Sequence, residues 1–263
     1  MPAVYAHALF GRKVYKSLEG ECKDTIKKYK KYYVLGLQGP DILFFYRPFY
    51  HNKFNRIGVR IHHETFDVFV REAGKVIKIY GIDSPEGAYV LGFICHYMLD
   101  SACHPFVIEE IERTGIDHIS IESEFEKDLM FNDGRNPYTY DLRKLLPYDK
   151  SMAEHISRLY SGVTPAGINE AVRFMRLGKY LLNYGNKTKA RVAMFFIKLF
   201  RLHRLVYPHM IYPGKGYDTN YSNQRLNKHL LETVNETSDI LMEFYNMKEN
   251  INPRFNMDFY GGT

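Results

Sequence analysis

Apolar residues recur at three- and four-residue intervals over residues 4–18, 56–79, 89–103, 119–130, 166–182, 190–206 and 226–244, and strict alternation is scarce. A period near 3.6 lays such residues along one face of a helix, whereas a half-buried strand needs a period of two. The pattern predicts an all-α protein of about nine helices. Helix punctuation agrees. Asp83-Ser84-Pro85-Glu86 offers a capping side chain, a proline suited to the first turn and an acid near the positive helix end, and Thr164-Pro165 repeats the first two. Pro105 directly follows His104, and the residue before a proline is driven out of the α conformation, so that helix is expected to finish at or near His104. Residues 131–140 and 207–222, rich in proline, glycine, asparagine and aspartate, read as irregular. With no repeat, low-complexity tract or linker, a single domain over residues 1–263 is expected.

Five metal-competent side chains fall in register with this helical pattern: His96, Asp100 and His104, then His118 and Glu122. Positions four apart on a helix lie one turn apart and are rotated by only about 40°. His96, Asp100 and His104 therefore form a ladder on one face, and His118 with Glu122 repeats the pairing on a second helix predicted over residues 117–130. Facing ladders of this kind are how helical bundles build metal sites. Any one of these histidines alone is more often an ordinary core or surface residue. Three histidines and two acids at these offsets arise by chance in on the order of one chain in a few thousand, which reverses that balance.

Other candidates lie upstream. Asp41 in Gly39-Pro40-Asp41 sits at a predicted helix start, where it serves either as a simple cap or as an ionised ligand. His62 and His63 are adjacent, so only one can face the interior that the ladder faces. His7 lies on the first predicted helix. Cys103 falls within roughly 20° of the His96 face and has a thiolate to offer zinc, yet it reads better as a small buried residue.

Composition adds direction. The formal charge of +6 and pI near 9.0 favour anionic partners such as phosphate esters, acidic lipid surfaces or nucleic acid. Cys22, Cys95 and Cys103 are too few and too irregular for a disulfide framework and suit a reducing compartment. The N-terminus lacks a basic stretch followed by an apolar segment and a small-residue cleavage site, and no stretch reaches membrane-spanning length. The expectation is a cytoplasmic protein without a transmembrane segment.

In order, Gly39-Pro40-Asp41, Gly58-x-x-x-His62, Gly92-Phe93-Ile94-Cys95-His96-Tyr97-Met98-Leu99-Asp100, His104-Pro105 and His118-x-x-x-Glu122 resemble the zinc-dependent phospholipase C family. That family is related to the fungal single-strand-specific nucleases. The resemblance covers roughly residues 2–130 and implies an all-α fold, a cluster of two or three Zn2+ ions and hydrolysis of a phosphate ester, a phospholipid or a related molecule. It assigns Asp41, His62, His96 and Asp100 to one zinc and His104, His118 and Glu122 to a second. The third would take His7, Asp100 and the amine and carbonyl of Pro2, exposed by removal of Met1. His62 is preferred over His63 because it keeps the spacing from Gly58, and Asp41 is also the counterpart of a residue between ligand and proton acceptor. This chain departs from the secreted members of the family in its lack of Trp, in the expected absence of a signal peptide, and in its shorter gap from Asp100 to His104.

Two rival functions remain open at this level. A nuclease or nucleotidase would use the same charge, with Phe44, Phe45, Tyr46 or Phe49 as stacking platforms for bases. A non-catalytic, zinc-stabilised helical module would use residues 187–204, where Lys187, Lys189, Arg191, Lys198, Arg201 and Arg204 interleave with apolar residues, for peripheral contact with an anionic membrane. Such a stretch is more often a core helix with solvated lysines.

Overall fold

The computed structural model describes residues 4–183, 185, 188–189, 191–192, 195, 218–246 and 252–262. Among them the fold is all-α: α1 (Val4–Ser17), α2 (Gly20–Lys28), α3 (Lys30–Gly36), α4 (Lys53–His63), α5 (Phe66–Tyr80), α6 (Pro85–Thr114), α7 (His118–Asn132), α8 (Met152–Ser157), α9 (Pro165–Leu182) and α10 (Asn220–Asn246). Short 3-10 turns occupy Gly39–Phe45, Leu142–Leu145 and Pro253–Asn256. No helix among the described residues is long and apolar enough to cross a membrane.

The centre of the molecule is α6. Every residue from Glu86 to Ser101 is buried, and a helix apolar on all sides belongs inside a bundle rather than on its surface. Ser84 caps its start by accepting the Gly87 N–H at 3.0 Å, with Pro85 in the first turn. Thr164 does the same for α9, accepting from Gly167 at 3.1 Å. Around α6 pack α1, α3, α5 and α10, and one cluster of buried apolar side chains runs from Val4 to Phe259.

Three sequence expectations need correction. First, α6 does not finish at His104 but continues through Pro105 to Thr114. An internal proline costs roughly 3 kcal/mol, and burial of Phe106 and Val107 just beyond it offsets that penalty. Second, residues 56–79 form two helices, α4 and α5, separated by Glu64 and Thr65. A segment distant in sequence holds the break open, because the Phe66 N–H donates to the Met257 carbonyl at 3.0 Å. Third, α2, α3 and α8 were not foreseen, being too short for periodicity to register. The helix expected to end at residue 130 runs to Asn132 as α7, and the expected irregular stretch follows to residue 140. Most of the expected helix over 190–206 and of the irregular stretch 207–222 lies outside the described residues, although α10 already begins at Asn220.

The C-terminal tail matters more than its position suggests. Phe255 and Phe259 are buried and set their edges against Phe66, which stacks on Tyr97 of α6 at 4.0 Å with 4° between the planes. The Tyr97 hydroxyl donates to the Arg254 carbonyl at 2.7 Å. These contacts draw residues 252–262 across α4, α5 and α6 at the level of the histidine ladder.

Candidate metal centre

His96, Asp100 and His104 occupy successive turns of α6 and are all at least nine-tenths buried. His7 enters from α1, continuing the buried Val4, Phe10 and Val14 stripe, and its ring stacks on His96 with centroids 4.2 Å apart. Asp41 comes from the 3-10 turn Gly39–Phe45, whose Gly39 carbonyl accepts hydrogen bonds from both Tyr89 and Tyr160 at 3.2 Å. Near the end of α4 stands His62. His118 is the first residue of α7, beside the capping Asp117, and Glu122 follows one turn later.

Eight of the nine sequence candidates thus converge. Their ligand atoms form three groups that can each hold a metal ion: His7, His96 and Asp100; Asp41, His62 and His96; and His104, His118 and Glu122. Pro2 lies outside the described residues. His63 is exposed and turned away from these groups, and Cys22, Cys95 and Cys103 are buried free thiols that belong to none of them. Burial raises all three thiols, Cys22 and Cys95 to about 12, so they stay protonated at neutral pH.

The histidine tautomers follow from the backbone. His62 Nδ1 meets the Gly58 carbonyl at 2.8 Å, His96 Nδ1 the Leu37 carbonyl at 3.2 Å and His104 Nδ1 the Phe259 carbonyl at 2.7 Å. A carbonyl can only accept, so each Nδ1 carries the proton and each neutral ring is left with a lone pair on Nε2. Those three Nε2 atoms are buried and make no hydrogen bond among the described residues. An unsatisfied buried acceptor is costly unless something else occupies it.

The separations say what that is. His62 Nε2 lies 3.2 Å from Asp41 Oδ1, His96 Nε2 3.3 Å from Asp100 Oδ2, and His7 Nε2 3.2 Å from Asp100 Oδ1. His104 Nε2 lies 3.5 Å from Glu122 Oε1, which sits 2.8 Å from His118 Nε2. Two ligands about 2.0–2.1 Å from a tetrahedral ion are about 3.3 Å apart, so most of these pairs have the spacing of neighbouring ligands. Imidazole nitrogens and carboxylate oxygens, with His62, His96 and His104 each backed by a hydrogen bond at Nδ1, are a donor set that suits zinc.

The match to known proteins is decisive at the level of family. The family model for zinc-dependent phospholipase C covers residues 6–168 of this chain.

The chain belongs to the zinc-dependent phospholipase C family.

No curated protein and no solved structure matches it. Membership of the phospholipase C family supports zinc as the metal and a phospholipase C-like hydrolytic function. The family match ends in the first turn of α9, before α10 and the C-terminal tail. The Phe259 carbonyl that orients His104 is therefore a feature of this chain lying beyond the matched region.

Electrostatics divides this phospholipase C-family centre into two regimes. Burial lowers His96 to about 3 against the opposing pull of Asp100, so its imidazole stays neutral. Burial also acts to lower His104, but the carboxylates of Asp100 and Glu122 outweigh it and raise His104 to about 9. Burial acts to raise Asp100 and Glu122, but the adjacent imidazoles win and hold both carboxyls below their ordinary range; Asp41 is likewise held low, with His62 and His96 among the groups that oppose its burial. Tyr260 is raised first by burial and then by Asp100 and Asp41, which puts its hydroxyl in the field of the cluster.

A pH prediction follows. Below about 9 the chelated protein carries a proton on His104 that must leave before Nε2 can bind a metal. Zinc binding at pH 7.5 is expected to release that proton and to strengthen as pH rises toward 9. The same raised pKa favours folding of the chelated protein below about 6.5, and this contribution is lost as pH climbs through about 9. Calorimetry in buffers of different ionisation enthalpy measures the release. A buffer-independent heat would show that His104 enters binding already neutral.

Sequence reasoning missed two parts of this centre. The first is the tail, since a backbone carbonyl leaves no mark on residue choice. The second is Lys179, which continues the inward stripe of Ile168, Val172 and Met175 on α9 and lies in the field of Glu126, Asp41 and Glu122. Its α-helical spacing was legible, but a lysine on an apolar face reads as a solvated stem. Among the aromatic platforms considered for bases, Phe44 packs on His62 and Tyr46 stacks on Phe54, while Phe49 is exposed.

Proposed function

We infer that this protein is a zinc-dependent phosphodiesterase of the phospholipase C type, hydrolysing a phosphate ester of phospholipid kind to an alcohol and a phosphorylated head group. The observation that carries this reading is the set of three buried Nε2 atoms, those of His62, His96 and His104, each placed beside a carboxylate oxygen at about ligand spacing by a backbone carbonyl on Nδ1. Asp41, His62, His96 and Asp100 would hold one zinc, His104, His118 and Glu122 a second, and His7, Asp100 and a processed Pro2 terminus a third. Bound zinc supplies Lewis acidity toward phosphoryl oxygens and brings the pKa of an attacking water toward about 7.

The chain's own residues do the rest. Asp41 stays ionised at neutral pH, so it accepts a hydrogen bond and orients the attacking water toward phosphorus. His62, His96 and His104 are held by the backbone carbonyls of Gly58, Leu37 and Phe259, so they need little reorganisation when charge develops. Substrate reaches the cluster from the side of His118, whose side chain is 26% exposed, whereas His96 is fully enclosed.

The discriminating measurement compares hydrolysis of a soluble phosphocholine ester with that of single-stranded DNA, each with and without chelator. Chelator-sensitive turnover of the ester, with DNA left intact, is the expected outcome. Cleavage of DNA alone would move the assignment to the nuclease branch, and turnover of both substrates undiminished by chelation would remove zinc from the reaction.

A further inference from the structure

Beyond the ligand shell, one ring from the C-terminal tail is built into the centre. Tyr260 lies between two histidines, with centroids 5.2 Å from His104 on one side and 5.2 Å from His63 on the other, and 25° between planes in both cases. Its backbone is fixed as firmly as its ring. Asp258 accepts hydrogen bonds from the Tyr260 and Gly262 N–H groups at 2.8 Å, and the preceding Phe259 carbonyl accepts from His104. Any displacement of Tyr260 would therefore also disturb a candidate metal ligand. Yet the hydroxyl of this half-buried side chain makes no hydrogen bond among the described residues, although it shares the field of Asp100, Asp41 and Glu122. A half-buried hydroxyl without a protein partner is free to bond to solvent or to a ligand that displaces it.

We propose that the Tyr260 hydroxyl donates a hydrogen bond to a phosphoryl oxygen of the substrate, making Tyr260 a catalytic residue contributed by the C-terminal tail. This rests on the phosphate-ester reading above. A phenol keeps its proton to about pH 10, so at neutral pH it is a donor aimed at anionic oxygen rather than a base. The carboxylates around it repel a second anion and hold the proton on the phenol, and cations bound to those carboxylates would offset the repulsion and leave the O–H available to a phosphoryl oxygen. The bond would strengthen as charge accumulates on the phosphoryl oxygens during in-line displacement, which is the condition for lowering a barrier rather than merely tightening binding.

The test uses the full-length, zinc-loaded protein and its Tyr260→Phe variant, which keeps the stacked ring and removes only the oxygen. Zinc content by elemental analysis and helical content by circular dichroism are expected to be unchanged. Inorganic phosphate, titrated calorimetrically, is expected to bind on the order of 10-fold more weakly, and kcat/KM for a soluble phosphodiester to fall by roughly 10- to 100-fold. Unchanged phosphate affinity and unchanged kcat/KM would overturn the proposal. Loss of zinc or of helical structure in the variant would also overturn it, by assigning the hydroxyl to the scaffold. Phosphate binding that depends on Tyr260 in a wild-type protein that hydrolyses no ester would uphold the hydrogen bond and sink the phosphodiesterase reading instead.

Discussion

Replacing Asp100 with asparagine is expected to lower bound zinc and to reduce phosphodiester hydrolysis by on the order of 10^3-fold, the equivalent of roughly 4 kcal/mol of barrier. Asp100 is singled out because its two oxygens serve different neighbours: Oδ1 lies 3.2 Å from His7 and Oδ2 3.3 Å from His96. An amide of the same shape keeps one acceptor but brings two N–H donors and no charge, so one of the two neighbours faces the wrong polarity. His104 owes its raised pKa first to Asp100 among the groups that raise it, and it would relax toward ordinary values in the variant. Elemental analysis gives the metal count, and thermal melts with and without chelator give its energetic weight. Ligands that bind only the folded state raise the melting temperature, so the gap between those two melts should shrink in the variant. A variant that kept its full zinc and lost less than about threefold in kcat/KM would show that Asp100 joins no metal at all.

Much of this arrangement was legible because an α-helix converts spacing into direction. His96, Asp100 and His104 needed only a four-residue period and a buried helix to become a ladder, and the apolar surroundings of residues 89–103 supplied the burial. Choosing His62 over His63 rested on the resemblance. In the structure His62 faces Asp41 while His63 stacks outside on Tyr260. What escaped sequence reasoning was of another kind. The carbonyls of Gly58, Leu37 and Phe259 that fix the imidazoles are identical in every residue type, so nothing in the chain announces them. Pro105 misled because local preference was weighed without the burial of Phe106 and Val107 that outweighs it. The break between α4 and α5 is held partly by Met257, nearly two hundred positions away, and no local window contains that information. Long-range backbone contacts, rather than side-chain chemistry, mark the boundary of what a single sequence discloses.

The tightest coupling between fold and centre is at Gly39, and substituting alanine there is expected to cost about 2–4 kcal/mol of stability together with a loss of zinc affinity. Gly39 has a φ of +47°, a region that costs an L-residue roughly 1–2 kcal/mol. A Cβ at this position would also be driven into the ring of His96, which is fully buried and held through Nδ1 by the Leu37 carbonyl. The ring cannot retreat without surrendering either that bond or its place opposite Asp100. Nor can the 3-10 turn move outward, because the Gly39 carbonyl is fixed by Tyr89 and Tyr160 and the turn carries Asp41 two residues on. Gly81 provides the control: its φ is +84°, but a Cβ there meets nothing within 4 Å, so Gly81→Ala carries backbone strain without a clash. Chemical denaturation of the two variants separates the contributions, with Gly81→Ala expected to lose about 1 kcal/mol and no zinc. If Gly39→Ala proved no more destabilising than Gly81→Ala and bound zinc equally well, the contact between the turn and His96 would have no part in setting the geometry of the centre. If it lost both stability and zinc, the steric fit of one hydrogen atom against one imidazole would be what aligns Asp41 with the ladder on α6.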